Sequence, residues 1–142
     1  MITEVIVGML LGLQSFWDVK RRYIPSYITM VGAFMGAVFS AYEGRSVREL
    51  LMALFPGLAI LLLGRITQEA IGYGDGMLIG MLGMFYNMDD VVFICMSAFL
   101  CSAGIALMML VIGNKKRTDT LPFVPFLLIG WIVRLLLTKG VV

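Results

Sequence analysis

The stretch Ile71-Gly72-Tyr73-Gly74-Asp75-Gly76 runs directly into Met77-Leu78-Ile79-Gly80-Met81-Leu82-Gly83-Met84-Phe85-Tyr86. A carboxylate with two glycines before it and one after it is thereby drawn into an apolar segment. A charged side chain at the centre of a membrane helix costs about 2.5–3.5 kcal/mol on insertion scales, so such an acid is a candidate functional group. The flanking glycines allow unusual backbone angles and leave no side chain in the way of a substrate backbone. The reading then depends on whether a second acid elsewhere in the chain can pair with Asp75.

The composition sets the surroundings. The 142 residues are 61% hydrophobic and only 14% charged, whereas soluble domains carry about 25% charged residues. An all-α, polytopic integral membrane protein is expected, with membrane lipid around it and no nucleic-acid partner. At roughly 20 residues per span the chain accommodates six transmembrane helices joined by short loops, as a single transmembrane domain over 1–142. No cleavable leader is expected: the start carries Glu4 without a basic cluster, and Ser15-Phe16-Trp17 is too bulky for a signal-peptidase site. Cys95 and Cys101 are six residues apart, about 240° around a helix, and read as buried small hydrophobes. With no histidine and no Cys-x-x-Cys, a zinc site is not expected, and no cofactor is expected.

The first span covers about 2–17 and ends at the interfacial Trp17, followed by Asp18-Val19-Lys20-Arg21-Arg22-Tyr23. Taken by itself, Asp18 reads first as a loop acid beside three cations. Ile24-Pro25-Ser26 opens the second span, to about residue 42, with Pro25 suited to the first helical position. The third, about 47–63, carries Pro56-Gly57 in its middle, where a kink is expected. The fourth runs over about 73–86 with Asp75 in its first turn, and the fifth over 91–112. The sixth begins at Leu121-Pro122-Phe123-Val124-Pro125-Phe126 and ends near 137. Thr120 is its expected N-cap, and Pro122 and Pro125 fall among the first helical positions, whose N–H groups lack intrahelical partners.

Basic residues set the orientation. The loops after spans one, three and five carry Lys20, Arg21, Arg22, Arg65, Lys115, Lys116 and Arg117; the other side carries Arg45, Arg48, Arg134 and Lys139. The first side is therefore expected to be cytoplasmic and the amino terminus outside. Gly8-x-x-x-Gly12, Gly32-x-x-x-Gly36 and Gly76-x-x-x-Gly80 give spans one, two and four small-residue faces. Close packing of spans one and four through such faces would bring their ends together.

Counting through six spans places Asp18 and Asp75 at the cytoplasmic ends of spans one and four, at one membrane depth. Asp89 and Asp90 fall on the far side, and Glu69 and Asp119 in loops. Two carboxylates at matched depth can share a proton and activate a water, which points to an intramembrane hydrolase.

These residues resemble a known family. Gly72-Tyr73-Gly74-Asp75 is similar to the GxGD signature of intramembrane aspartyl proteases. Asp18 followed by Arg21-Arg22-Tyr23-Ile24-Pro25 resembles the first-aspartate motif of the type IV prepilin peptidases. Leu121-Pro122-Phe123-Val124-Pro125-Phe126-Leu127 resembles their Pro-Phe-Gly-Pro-Phe-Leu stretch, and Glu69 has a counterpart ahead of the GxGD. The resemblance implies six helices and a multi-pass protein of a prokaryotic plasma membrane. It further implies cytoplasmic-side removal of a short basic leader from prepilin or pseudopilin substrates, with Asp18 and Asp75 as the catalytic pair and no metal. Gly72, Gly74, Gly76, Glu69, Pro25, Pro122 and Pro125 are then the residues that shape the site. Ser26 stands where asparagine is usual, and Gly76-Met77 where lysine often follows the aspartate. The cysteine-rich segment of the longer bifunctional members has no counterpart, so N-methylation is not carried over. Two other classes fit the residues less well: a small proton-coupled transporter, which would place an acid near the midplane, and a non-catalytic assembly factor for a pilus or secretion system.

Overall fold

A computed structural model of the chain describes residues 1–67, 72–112 and 121–140, apart from the Lys139 side chain. Every regular element among them is an α-helix: α1 (Ile2–Arg21), α2 (Ser26–Tyr42), α3 (Val47–Ile66), α4 (Tyr73–Phe85), α5 (Met88–Val111) and α6 (Val124–Gly140). The all-helical expectation holds, with several boundaries moved for physical reasons.

The first helix passes Trp17 by a full turn. Lys20 and Arg21 lie in its last turn, where cations are favoured by the helix dipole. Their charges also stack back on the helix, Lys20 over the Phe16 ring at 5.5 Å and Arg21 over Trp17 at 4.9 Å. The helix ends at Arg22, in the left-handed region with φ 50°, whose N–H donates to the Asp18 carbonyl at 2.8 Å. Asp18 is therefore inside the helix and buried, which corrects its reading as a loop acid. The second helix starts one residue later than expected, with Pro25 immediately before it at φ −69°. A capping box opens the third: Ser46 Oγ accepts from the Glu49 N–H, and the Glu49 carboxylate accepts from the Ser46 N–H. It runs without a break through Pro56. The sixth helix begins at Val124, so Pro122 precedes it and Pro125 is its second residue; Thr120 lies outside the described residues.

The fourth helix is the centre of the molecule. It is 13 residues long and buries Gly76, Leu78, Ile79, Met81, Leu82, Gly83 and Phe85. Because these residues point in all directions around the axis, the helix must be enclosed by others. It packs chiefly against α3 and α2, while α1 packs chiefly against α6. The expected tight packing of spans one and four is not what joins them, since α1 and α4 meet at only a few residues. The small-residue seam lies instead between α3 and α4. A Cβ on Gly57 would meet the Gly80 N at 2.5 Å, and one on Gly83 would meet the Ala53 carbonyl. On α2, Gly32 and Gly36 receive Met81 and Phe85 of α4, and Gly8 of α1 receives the Trp131 ring of α6.

The outward surface is apolar, with Phe34, Phe55, Leu62, Leu100 and Leu136 all exposed, as in a protein solvated by lipid. Among the described residues, three helices are long and apolar enough to cross a membrane: Ile2–Arg21, Val47–Ile66 and Met88–Val111. Ser26–Tyr42 and Val124–Thr138 are apolar but shorter. At about 1.5 Å per residue, α4 reaches only about 20 Å, short of a hydrocarbon core of about 30 Å.

One end of the bundle is closed by polar contacts. Arg134 of α6 binds Asp90 of α5 through two nitrogens, at 3.0 and 2.9 Å, and Glu4 of α1 at 2.7 Å. The Tyr86 hydroxyl donates to Glu4 at 2.6 Å and accepts from the Trp131 indole at 2.9 Å. Arg45 donates to the carbonyls of Met84 and Tyr86 at 3.2 and 2.9 Å, serving the open end of α4. The far ends of α1, α4, α5 and α6 are thus tied together, which fixes where their other ends can lie.

Candidate active site

The opposite end of the bundle carries Asp18 and Asp75. Asp18 sits in the last turn of α1 on that helix's buried stripe, with Val7, Leu11 and Gln14. One of its carboxylate oxygens accepts from the Val124 N–H at 3.0 Å, and the Phe123 amide also faces it. Val124 is the first residue of α6, so its N–H has no partner within the helix. Pro125, next in line, has no N–H to offer. The α6 start is therefore a fixed donor aimed at Asp18, and Phe123 is anchored in turn by its ring against Phe99 of α5, centroids 4.9 Å apart.

Asp75 lies in the first turn of α4, with its N–H donating to the Gly72 carbonyl at 3.1 Å. It is half-buried and close enough to Asp18 for the charge of one to act on the other. The structure thus brings the two acids to one end of the bundle, through α1 and α6 on one side and α4 on the other.

Each flanking glycine has its own neighbour. A Cβ on Gly72 would lie 2.6 Å from the Asp75 Oδ2, so any side chain there displaces the carboxylate. One on Gly74 would press on the Ile24 side chain at 3.0 and 3.2 Å. One on Gly76 would meet Leu61 of α3 at 2.9 Å and its backbone N at 3.0 Å. Ile24 explains the segment after Asp18. The left-handed turn at Arg22 reverses the chain, Ile24 comes down over Gly74, and the buried Pro25 starts α2, its carbonyl accepting from Ile28 at 3.0 Å. The loop that follows one acid therefore seats the turn that holds the other. Glu69 and Asp119 lie outside the described residues.

A Gly74→Val substitution should accordingly push Ile24 off the turn. The expected outcome is normal membrane insertion with any activity that depends on the two acids reduced at least about tenfold, a displacement costing more than about 1.4 kcal/mol at the site. An Ile24→Ala change in the same protein should restore part of the loss, and an unaltered rate for Gly74→Val alone would refute the seating.

Two polar residues near this end gave no signal by motif. Gln14 is fully buried one turn before Asp18, and Thr29 is buried one turn into α2. Gln14 could have been noticed as an amide within an otherwise apolar span, spaced four residues from an acid.

A family model described as the Type IV leader peptidase family matches residues 5–108, which include both aspartates but not α6. The prepilin leader peptidase/N-methyltransferase of Aeromonas hydrophila is 24% identical over 146 residues, covering 95% of this chain and 48% of that protein. The chain thus spans about half the length of the curated relative it matches. No solved structure matches it. By the extent of the family match, this chain belongs to the type IV leader peptidase family.

Proposed function

We propose that the chain is an intramembrane aspartic endopeptidase that removes a short basic leader from prepilin-like substrates at the cytoplasmic face of a prokaryotic plasma membrane. The observation that carries this reading is the arrival of Asp18 and Asp75 at one end of the bundle within electrostatic reach of each other. In the proposed reaction the ionised member of the pair takes a proton from a water, whose oxygen attacks the scissile carbonyl. The protonated member hydrogen-bonds to that carbonyl oxygen and gives up its proton as the tetrahedral intermediate forms. Collapse returns a proton to the leaving amine, releasing the leader with a new carboxylate and the trimmed protein with a new amino terminus. The α6 N–H holds Asp18 in place throughout, and Gly72 leaves the Asp75 carboxylate free to turn toward the substrate. Purified protein incubated with a prepilin should release a shortened product of defined mass. An intact substrate after prolonged incubation with well-folded protein would favour a transporter or an assembly factor.

The orientation with the amino terminus outside, six spans and the Asp18–Asp75 end inside is supported by charge. Lys20, Arg21, Arg22 and Arg65 lie toward that end, while Arg134 on the other side is neutralised by Glu4 and Asp90. Single cysteines at Lys116 and Met88, in a background free of Cys95 and Cys101, should react with an impermeant maleimide from opposite sides of the membrane. Labelling of both from outside would reverse the orientation and remove cytoplasmic cleavage with it.

A further inference from the structure

Gln14 and Thr29 occupy positions that burial alone does not explain. Gln14 has no exposed surface and Thr29 is 2% exposed. Neither the amide nitrogen nor the amide oxygen of Gln14 has a hydrogen-bond partner among the described residues, and neither does the Thr29 hydroxyl. Buried polar groups are normally satisfied, and leaving one unpaired costs more than replacing it with an apolar group of similar shape. A helix facing lipid and apolar neighbours has no use for a glutamine here unless the amide serves something.

Helix geometry places the two residues at neighbouring levels beneath the site. Leu10 of α1 packs at Gly32 of α2, the helices running in opposite directions. Four residues along α1 from Leu10 is Gln14, about 6 Å closer to the Asp18 end; three residues back along α2 from Gly32 is Thr29, about 4.5 Å closer to the same end. Steps of three and four return to roughly one side of a helix, so both lie near the line where α1, α2 and α4 converge at Gly32, and Thr29 also borders the groove toward α3 and α4. Gln14 and Asp18 are then neighbours at i and i+4, with Cβ atoms about 5–6 Å apart. Side chains at that spacing can bond directly, yet neither amide atom of Gln14 bonds to Asp18, an arrangement that suits a bridging water, which needs two to four polar partners.

We propose that Gln14 and Thr29 hold one internal water against the Asp18 carboxyl and act as positioning residues for it, an inference that rests on the peptidase reading above. Asp18 is held at its outer side by the Val124 N–H; the water supports it from the membrane side. Two fixed contacts on opposite sides leave the carboxyl one orientation, toward Asp75, before substrate arrives. The other groups facing Asp18 are Asp75 from α4 and the α6 amides of Phe123 and Val124. Its own helix adds Lys20, Arg21 and Arg22, α3 ends in Arg65, and the α2 segment carries Tyr23 and Tyr27. The α5 helix brings Cys101 and no charged side chain to this end among the described residues.

The test uses the full chain in lipid nanodiscs, with Gln14→Leu, Thr29→Val and the double variant. Two readouts are taken: prepilin cleavage as kcat and KM across pH, and titration of the carboxyl stretch by infrared spectroscopy, assigned with Asp18→Asn. Each single variant should lower kcat about tenfold at unchanged KM, the factor for one lost hydrogen bond to a charged group. Each should also move both the pH–rate profile and the Asp18 titration by at least about half a unit. The double variant should lose little more than either single one, because both serve the same water. Thr29→Ser should recover most of what Thr29→Val loses. Wild-type kcat with an unmoved Asp18 titration in Gln14→Leu and in Thr29→Val would overturn the proposal. If the wild-type protein fails to cleave any prepilin, the peptidase reading falls separately. The titration still decides in that case: a moved Asp18 stretch upholds the water-mediated coupling, and an unmoved one refutes it.

Discussion

Replacing either Asp18 or Asp75 with asparagine should reduce prepilin cleavage by at least about a thousandfold, within the range expected when a general acid or base is lost. An amide can neither take the proton from water nor donate one to the carbonyl oxygen as a carboxylic acid does. The two variants should be equally inactive, and combining them should add nothing, since the proposed mechanism uses the carboxyls as one unit. Both should fold. Asparagine keeps an oxygen that can accept from the Val124 N–H, and Asp75 has no ion pair among the described residues to lose. In the wild-type protein, activity should trace a bell against pH, because one carboxyl must be ionised while the other is protonated. Its limbs belong to the coupled pair and to neither aspartate alone. Asp89, exposed in the first turn of α5 at the opposite end, provides the control: Asp89→Asn should cleave at the wild-type rate. Site-specific cleavage by a well-inserted Asp18→Asn or Asp75→Asn protein would remove the pair from the mechanism.

The second large effect belongs to the far end and should fall on stability. Arg134 is 13% exposed in its side chain and holds Glu4 and Asp90 at 2.7 and 2.9 Å. Its guanidinium also lies over the Tyr86 ring at 4.4 Å. Arg134→Met keeps much of the bulk but leaves two partly buried carboxylates without a partner, a change that costs about 3 kcal/mol where such pairs are enclosed. Thermal unfolding in detergent should therefore shift down clearly, while kcat measured on the folded fraction stays within about twofold of wild type. Adding Glu4→Gln and Asp90→Asn should return part of the stability, because the loss arises from the unpaired charges as much as from the missing contact. An unchanged unfolding temperature for Arg134→Met would mean that the polar closure does not hold the bundle.

The contrast between the two ends shows what sequence can carry. Asp75 was legible because its glycines and its position against an apolar run are adjacent in the chain. Asp18 was legible through depth, since alternating spans put it at the same end. The reason for Ile24 and Pro25 was not, because it depends on Gly74, about fifty residues away. The far closure was hidden for the same reason: Glu4 and Arg134 are 130 residues apart, and each reads singly as an ordinary loop or interface charge. The small-residue spacing suggested a seam but pointed to spans one and four, which meet at only a few residues. The seam formed between α3 and α4 because Gly57 faces Gly80, whereas in the sequence Gly57 stands beside Pro56 and signals only a kink. Helix ends moved outward from the apolar windows at α1 and α3 because hydropathy marks where lipid stops, whereas capping and side-chain stacking decide where a helix stops.

Cleavage in water enriched in ¹⁸O tests the central claim most directly. Purified wild-type protein, incubated with a prepilin in that solvent, should release one leader peptide whose new carboxyl terminus carries a single ¹⁸O, seen by mass spectrometry. The Asp18→Asn and Asp75→Asn proteins should release none. A substrate left intact by the wild-type protein, or a labelled leader released by either variant, would contradict an Asp18–Asp75 pair that activates water for peptide hydrolysis.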